Sequence, residues 1–149
     1  INIDGDTVSM SEYNDKKILF VNVASECGYT YQYKDLQELH EKYGDKVAVL
    51  GFPSNDFLYQ EPGDNKKIKN FCSVNYGVTF PMFSKVKVKK KESQHPIYTW
   101  LSNNVLNSKV DNAPSWNFCK YLLDEKGQII GYFNSKVNPM DEQITKHLK

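Results

Sequence analysis

A chain of 149 residues in which 40% of the side chains are hydrophobic is the size of one ordinary domain and buries a core without disulfide staples. Its formal net charge of +1, with basic and acidic residues interspersed, excludes the strong field that gathers nucleic acid or an anionic membrane. No apolar run reaches the length of a membrane span, and 3 widely spaced cysteines with 3 scattered histidines fit neither a disulfide framework nor a zinc site.

Residues 18–23, ILFVNV, are too apolar and too β-branched for a surface element and predict a buried strand. The small and polar residues Ala24, Ser25, Gly28 and Thr30 then break the pattern. From Gln32 to Tyr43 the residues Tyr33, Leu36, Leu39, His40 and Tyr43 recur at spacings of three and four, an amphipathic helix that stops at Gly44. Val47 to Phe52 is a short apolar strand ended by Pro53, so the segment predicts a strand, helix, strand unit with parallel strands. A turn-rich stretch, PSNDFLYQEPGDN, leads to a second helix over about Asn65 to Asn75 with Ile68, Phe71 and Cys72 on one face.

Lys85 to Lys89 alternates Lys and Val and reads as a strand with one wet face. His95 to Asn104 predicts a helix with Pro96 in its first turn, where the missing N–H costs little. Asn117 to Asp124 and Gln128 to Asn134 flank the tight turn DEKG as an antiparallel hairpin, and Pro139 to Lys149 closes the chain as a helix. Without repeats or linkers, residues 1–149 are expected to form a single domain. The element order is that of an α/β thioredoxin-like fold, a central mixed sheet flanked by helices, with insertions. Order alone does not give function.

Chemistry enters at CGYT. Cys27 lies at a strand-to-helix junction, where unpaired backbone N–H groups and the helix dipole stabilise a thiolate. The spacing to Thr30 matches a Cys-x-x-Cys redox turn whose second cysteine is replaced. With no neighbouring thiol, an oxidised Cys27 persists as a sulfenic acid until a distant thiol or external reductant reaches it. A thiolate that attacks a peroxide O–O bond has that requirement, whereas a dithiol exchanger keeps both cysteines. The plain alternative is three inert core thiols.

The segment NVASECGYT resembles the peroxidatic motif of the glutathione peroxidase family, in its cysteine-containing, thioredoxin-dependent branch. The likeness continues through GFPSNDF, YQEPG, FCSVNYGVTFPMFSKV and WNFCKYLLDEKG. It implies a thioredoxin-like fold, reduction of hydrogen peroxide or organic and lipid hydroperoxides, and Cys27 as the nucleophile. It also implies that Trp116 and Asn117 donate hydrogen bonds to the reactive sulfur. The family's Gln, in FP-x-NQF, is replaced by Asp56 in FPSNDF. An ionised Asp56 pointing at Cys27 disfavours the thiolate by like-charge repulsion. Asp56 is therefore turned away, neutral or in a different contact, as an acid or through water; a turn-stabilising role beside Asn55 is the other reading. Cys72 matches the resolving cysteine of members that form an intramolecular disulfide, and its helix must then partly unwind. The competing reading makes Cys72 core.

Cys119 is expected to pack in the core on the same side of its strand as Asn117. Tyr29, Tyr31, Tyr33, Phe57 and Tyr59 are candidates for an apolar rim or ordinary half-buried aromatics. The lysine run SKVKVKKK suits an acidic partner or, more commonly, a guarded edge strand. The resemblance makes thioredoxin or a similar dithiol protein the expected reductant, with no cofactor, metal or nucleic acid. The resemblance also implies a monomer, because the connection from Val105 to Ser115 is too short for the subunit-bridging insertion of the family's tetrameric members. The cytoplasm is the expected compartment; the missing initiator methionine leaves a removed targeting segment open. A redox sensor using the same disulfide, a glutathione-dependent one-cysteine peroxidase, a general disulfide oxidoreductase and an inactive binding domain are the competing functions.

Overall fold

The computed structural model describes residues 1–149. Strands β1 (Lys17–Val23) and β2 (Val47–Pro53) enclose helix α1 (Gln32–Tyr43). They pair in parallel, from Lys17 opposite Val47 to Val23 opposite Pro53, which is the expected strand, helix, strand unit. The late hairpin adds β3 (Lys120–Leu123), antiparallel to β1, and β4 (Ile129–Phe133), antiparallel to β3. The sheet order is β2-β1-β3-β4.

Alternation along each strand sorts the core into two layers. Leu19, Val21 and Val23 of β1, with Val47 and Val49 of β2, meet Leu36 and Leu39 of α1 and Ile68 and Cys72 of α2 (Asn65–Tyr76). Ile18 and Phe20, with Ala48, Leu50 and Phe52, go to the opposite face against Tyr98 and Leu101 of α3 (Pro96–Leu101). Both faces of β1 and β2 are covered, which is why those strands read as continuous apolar runs. A Cβ at Gly51 of β2 would stand 2.5 Å from Met82 Sδ and 3.2 Å from the Phe80 ring, so the glycine lets those side chains lie against the strand where residues 81–83 bond along its edge.

Helix α2 is defined by its caps. The Asp64 side chain accepts from Lys67 N–H at the start, and Gly77, at φ 57°, returns its N–H to the carbonyls of Cys72 and Ser73 at the end.

Four expectations need correction. Lys85–Lys89 is not a strand, because its amides are taken elsewhere. Lys85 N–H donates to Asn65 Oδ1, and the N–H groups of Val88 and Lys89 donate to Asp56 Oδ2. The helix foreseen over residues 95–104 stops at Leu101, and α4 (Asn104–Asn107) restarts under Asn103, whose side chain accepts from Val105 N–H. At the C-terminus only α5 (Glu142–Thr145) is α-helical, capped by Asp141. The expected strand from Asn117 begins three residues late, since Phe118 at φ 63° breaks the extended run.

Candidate active site

Between β1 and α1 the chain makes a tight turn held by one side chain. Thr30 Oγ1 accepts from Cys27 N–H at 2.9 Å and donates to the Ala24 carbonyl at 2.8 Å. Thr30 N–H adds a bond to the Cys27 carbonyl. So braced, Cys27 is only 9% exposed, and its Sγ accepts the Tyr29 N–H at 3.3 Å. The threonine that stands where a second cysteine would sit is thus the brace of the first.

The second wall is the turn at residues 116–119, clamped by a polar residue inside β1. Asn22 Nδ2 donates to the Trp116 carbonyl, Asn22 Oδ1 accepts from Cys119 N–H, and the Asn22 carbonyl accepts from Phe118 N–H. The left-handed Phe118 costs about 1–2 kcal/mol, and the clamp holds it. In this geometry Asn117 and Cys119 take different side-chain partners. Asn117 Nδ2 donates to Gln60 Oε1 at 2.9 Å, while Cys119 Sγ sits among the Trp116 carbonyl, Ser135 Oγ and Tyr132 Oη.

Gln60 joins the walls. Its carbonyl accepts from Glu26 N–H, beside Cys27, and its side chain holds Asn117, whose own Oδ1 is buried without a partner. Leu58 and Tyr59, at φ 50° and 54°, bend the chain to bring Gln60 there. Trp116 packs on Phe57 at a tilt of 52° with ring centroids 5.6 Å apart, and with Tyr29 and Ser135 lines a cleft of about 360 Å³. Asp56 bonds elsewhere: its Oδ2 takes the amides of Val88 and Lys89, and no hydrogen bond links it to Cys27, Trp116 or Asn117. That is the different-contact alternative of the sequence reading.

The family model for glutathione peroxidase matches residues 1–102. Glutathione peroxidase of Lactococcus lactis is 44% identical over 99% of this chain and 95% of its own length. The chain belongs to the glutathione peroxidase family. Hydroperoxy fatty acid reductase gpx1 of Synechocystis is 41% identical over 92% of this chain and 84% of its own. Glutathione peroxidase-like peroxiredoxin 2 of Saccharomyces cerevisiae is 40% identical over 94% and 88%. Among solved structures, Trgpx in apo form superposes with a TM-score of 0.73 at 32% identity, covering 99% of this chain and 90% of that one. The thioredoxin-like fold extends to a thiol:disulfide interchange protein of Chlorobium tepidum, at a TM-score of 0.68 and 14% identity over 99% of this chain and 90% of that one.

In this glutathione peroxidase family member, a peroxidase, all three cysteines are free and buried. Cys72 lies on the inner face of α2, and burial, with the Glu61 charge adding, pushes its thiol up to about 11. Tyr33 belongs to the same core and is fully buried, so it is no part of a rim, and Phe57 is buried too; Tyr31 and Tyr59 are exposed. Beneath the 116–119 turn, fully buried Lys120 donates to Gln32 Oε1 at 2.6 Å and to the carbonyls of Ser135 and Val137. No carboxylate pairs with it, and burial lowers its amine to about 7. No helix is long and apolar enough to cross a membrane.

Sequence reasoning passed over Gln60, Asn22, Lys120 and Glu61. Asn22 and Lys120 carried a signal, a polar residue inside an apolar strand. Gln60 and Glu61 lay inside the family-like segment YQEPG, but nothing local marked the contact of Gln60 with Asn117, 57 residues away.

Proposed function

We propose that this chain reduces hydrogen peroxide and organic or lipid hydroperoxides through a Cys27, Cys72 cycle recycled by thioredoxin or a similar dithiol protein. The Cys27 thiolate attacks the distal peroxide oxygen; the O–O bond breaks, the alcohol or water leaves with a proton, and Cys27 becomes a sulfenic acid. Cys72 then condenses with it, water leaves, and a disulfide remains for the reductant to open.

The observation that carries this reading is the Tyr29 N–H aimed at Cys27 Sγ on a turn braced by Thr30. A backbone donor bonds a thiolate more strongly than a thiol. Trp116 and Asn117 complete the proposed site, with Asn117 positioned by Gln60 to serve the leaving oxygen. Asp56 is assigned to holding the lysine-rich segment by its amides. The relatives named as peroxiredoxin and as hydroperoxy fatty acid reductase support the substrate class. The short Val105–Ser115 connection supports a monomer.

A one-cysteine cycle with a small thiol is the second reading, favoured by the burial of Cys72. The deciding experiment treats the reduced protein with one equivalent of hydroperoxide and maps its cysteines by non-reducing peptide mass spectrometry. A rapid Cys27 to Cys72 link is expected. Stable sulfenic acid on Cys27 with Cys72 untouched selects the one-cysteine cycle, and an unoxidised Cys27 refutes the whole proposal.

A further inference from the structure

The lysine run at residues 85–91 guards no sheet edge. A guarded edge is a strand, and this segment is not one, its amides being taken by Asn65 and Asp56. Instead it lines a cleft of about 650 Å³, the size of a small-molecule site, to which it brings Lys87, Lys89 and Lys91 and the preceding loop brings Leu58 and Tyr59. Lys85 is spent, since its ammonium donates to the carbonyls of Glu61 and Gly63. Lys87, Lys89 and Lys91 are exposed, and the ion pairs of the structure join other residues. Asp56 is the one acid on the lining, and its Oδ2 holds the amides of Val88 and Lys89. The cleft therefore concentrates positive charge in a chain whose net charge is only +1.

The rest of the lining displays apolar surface. Leu58 is 73% and Tyr59 79% exposed, and both are left-handed, at φ 50° and 54°, a conformation that costs a residue other than glycine about 1–2 kcal/mol. Their segment is fastened at both ends, by Asp56 to the lysine run and by Gln60 to Glu26 and Asn117. The two side chains are thus held out in water beside the ammonium groups. Phe57 joins this cleft to the active site: Lys89 Nζ lies 5.1 Å from the centre of its ring, and the Trp116 ring lies 5.6 Å from it. Trp116 in turn shares its own cleft with Tyr29, whose N–H bonds Cys27 Sγ.

Exposed apolar side chains beside unpaired ammonium groups fit an amphiphile with an anionic head. Resting on the peroxidase reading proposed above, we propose that this cleft is a specificity subsite for the carboxylate end of a fatty acid hydroperoxide. Lys87, Lys89 and Lys91 attract the head, and Leu58 and Tyr59 cover the adjoining part of the chain. In such a molecule an acyl chain separates the carboxylate from the hydroperoxyl group, as Phe57 and Trp116 separate the lysines from Cys27. The subsite does not touch the O–O bond. It raises the encounter rate of anionic hydroperoxides and gives that advantage neither to hydrogen peroxide nor to a lipid hydroperoxide with a neutral head.

The test measures the second-order rate of Cys27 oxidation with the hydroperoxide of linoleic acid, with its methyl ester and with hydrogen peroxide, the lipids being kept too dilute to aggregate. Oxidised Cys27 is followed by acid quenching and peptide mass spectrometry. In the unmodified protein the acid should react about fivefold or more faster than the ester at low ionic strength, and salt should narrow the gap by screening. In the triple variant Lys87→Gln, Lys89→Gln, Lys91→Gln, whose exposed positions keep their backbone bonds, the acid should fall to within about twofold of the ester, with the ester and hydrogen peroxide as references. Arginine at the same three positions should restore the preference. Leu58→Asn with Tyr59→Asn, side chains that accept left-handed backbone, should slow acid and ester by a common factor. An acid no faster than its ester in the unmodified protein overturns the subsite, and so does a preference that survives the triple glutamine variant. Equal slowing of that variant with all three probes also overturns it, because the lysines would then act on the thiol. If only its recycling by a dithiol protein slows, the cleft is a docking face for the reductant and the assignment is wrong. A Cys27 that none of the probes oxidises marks failure of the peroxidase reading itself, and the subsite goes with it.

Discussion

Replacing Thr30 by Val tests whether the side chain at the position of the missing cysteine is what holds Cys27 in place. Valine has the same shape, so packing is preserved, but two hydrogen bonds vanish: the one from Cys27 N–H at 2.9 Å and the one to the Ala24 carbonyl at 2.8 Å. Thr30 is 7% exposed, so water does not readily replace the hydroxyl. Each buried group left unpaired costs about 1–3 kcal/mol. The backbone bond from Thr30 N–H to the Cys27 carbonyl survives and limits the damage, so the lowest quarter of the summed range of about 2–6 kcal/mol, about 2–3 kcal/mol, is expected. For a domain of this size each kcal/mol lowers Tm by about 2–4 °C, a fall of about 4–12 °C in all. Urea unfolding followed by tryptophan fluorescence gives the free energy, and circular dichroism gives Tm. Thr30→Ser, which keeps the hydroxyl and loses a methyl, should give up about 1 kcal/mol. A Thr30→Val loss below about 1 kcal/mol, equal to that of Thr30→Ser, would refute the brace.

Three further outcomes follow from the geometry. Asp56→Ala should cost about 1–2 kcal/mol of stability, through the two amide bonds to Val88 and Lys89, and leave Cys27 oxidation within about threefold; a larger fall in a competition assay with peroxide would return Asp56 to the thiol. Asn117→Ala should slow Cys27 oxidation by about tenfold or more, and Gln60→Ala should do the same to a smaller extent by releasing Asn117, both read by stopped-flow fluorescence. Lys120 has its folded value lowered from 10.5 to about 7, so the unfolded chain binds more protons between those values and stability rises with pH across that window, the penalty being complete below about 7. Compared with Lys120→Met, the unmodified protein should gain about 2–3 kcal/mol on going from about pH 7 to about pH 9; parallel urea curves at the two pH values would mean that Lys120 is charged throughout.

Elements stabilised by their own periodicity were legible in the sequence, and those stabilised by a distant partner were not. Helix α1 runs over Gln32–Tyr43 as its apolar spacing indicates, and α2 is off by a single residue because Asp64 and Gly77 cap it locally. The Lys and Val alternation at 85–89 had the right period for a strand, but Asp56 and Asn65 took the amides a ladder needs. The same principle divides the site. Cys27 is legible from the strand, turn and helix around it, whereas the contact of Gln60 with Asn117 forms only when two loops bent by left-handed residues meet. Of the two readings open for Tyr33, rim or packed aromatic, its grouping with Leu36 and Leu39 on the apolar face of α1 already favoured the second, and it is fully buried there.

The burial of Cys72 looks like an objection to a resolving role and is better understood as its control. A thiol pushed up to about 11 is a poor nucleophile while α2 is closed, so in the proposed cycle the helix opens before Cys72 meets the sulfenic acid. Bond formation requires the two α-carbons within about 7 Å, and opening α2 is the proposed way to present Cys72 for it. Its anchorage is compatible with that. Of the twelve residues of the helix only Ile68 and Cys72 are fully buried, its N-terminal cap is one exposed aspartate, and its C-terminal cap is a glycine with nothing packed around it. Segments with few buried contacts open at a fraction of the global unfolding free energy. The Cys27 turn is the reverse case, fastened by Thr30, by the bond from Glu26 to Gln60 and by its junction with a strand buried on both faces. In the proposed cycle one cysteine is held still to meet peroxide and the other is mounted on a helix with only two fully buried side chains, so the order of events follows from the difference in how firmly the two are tied.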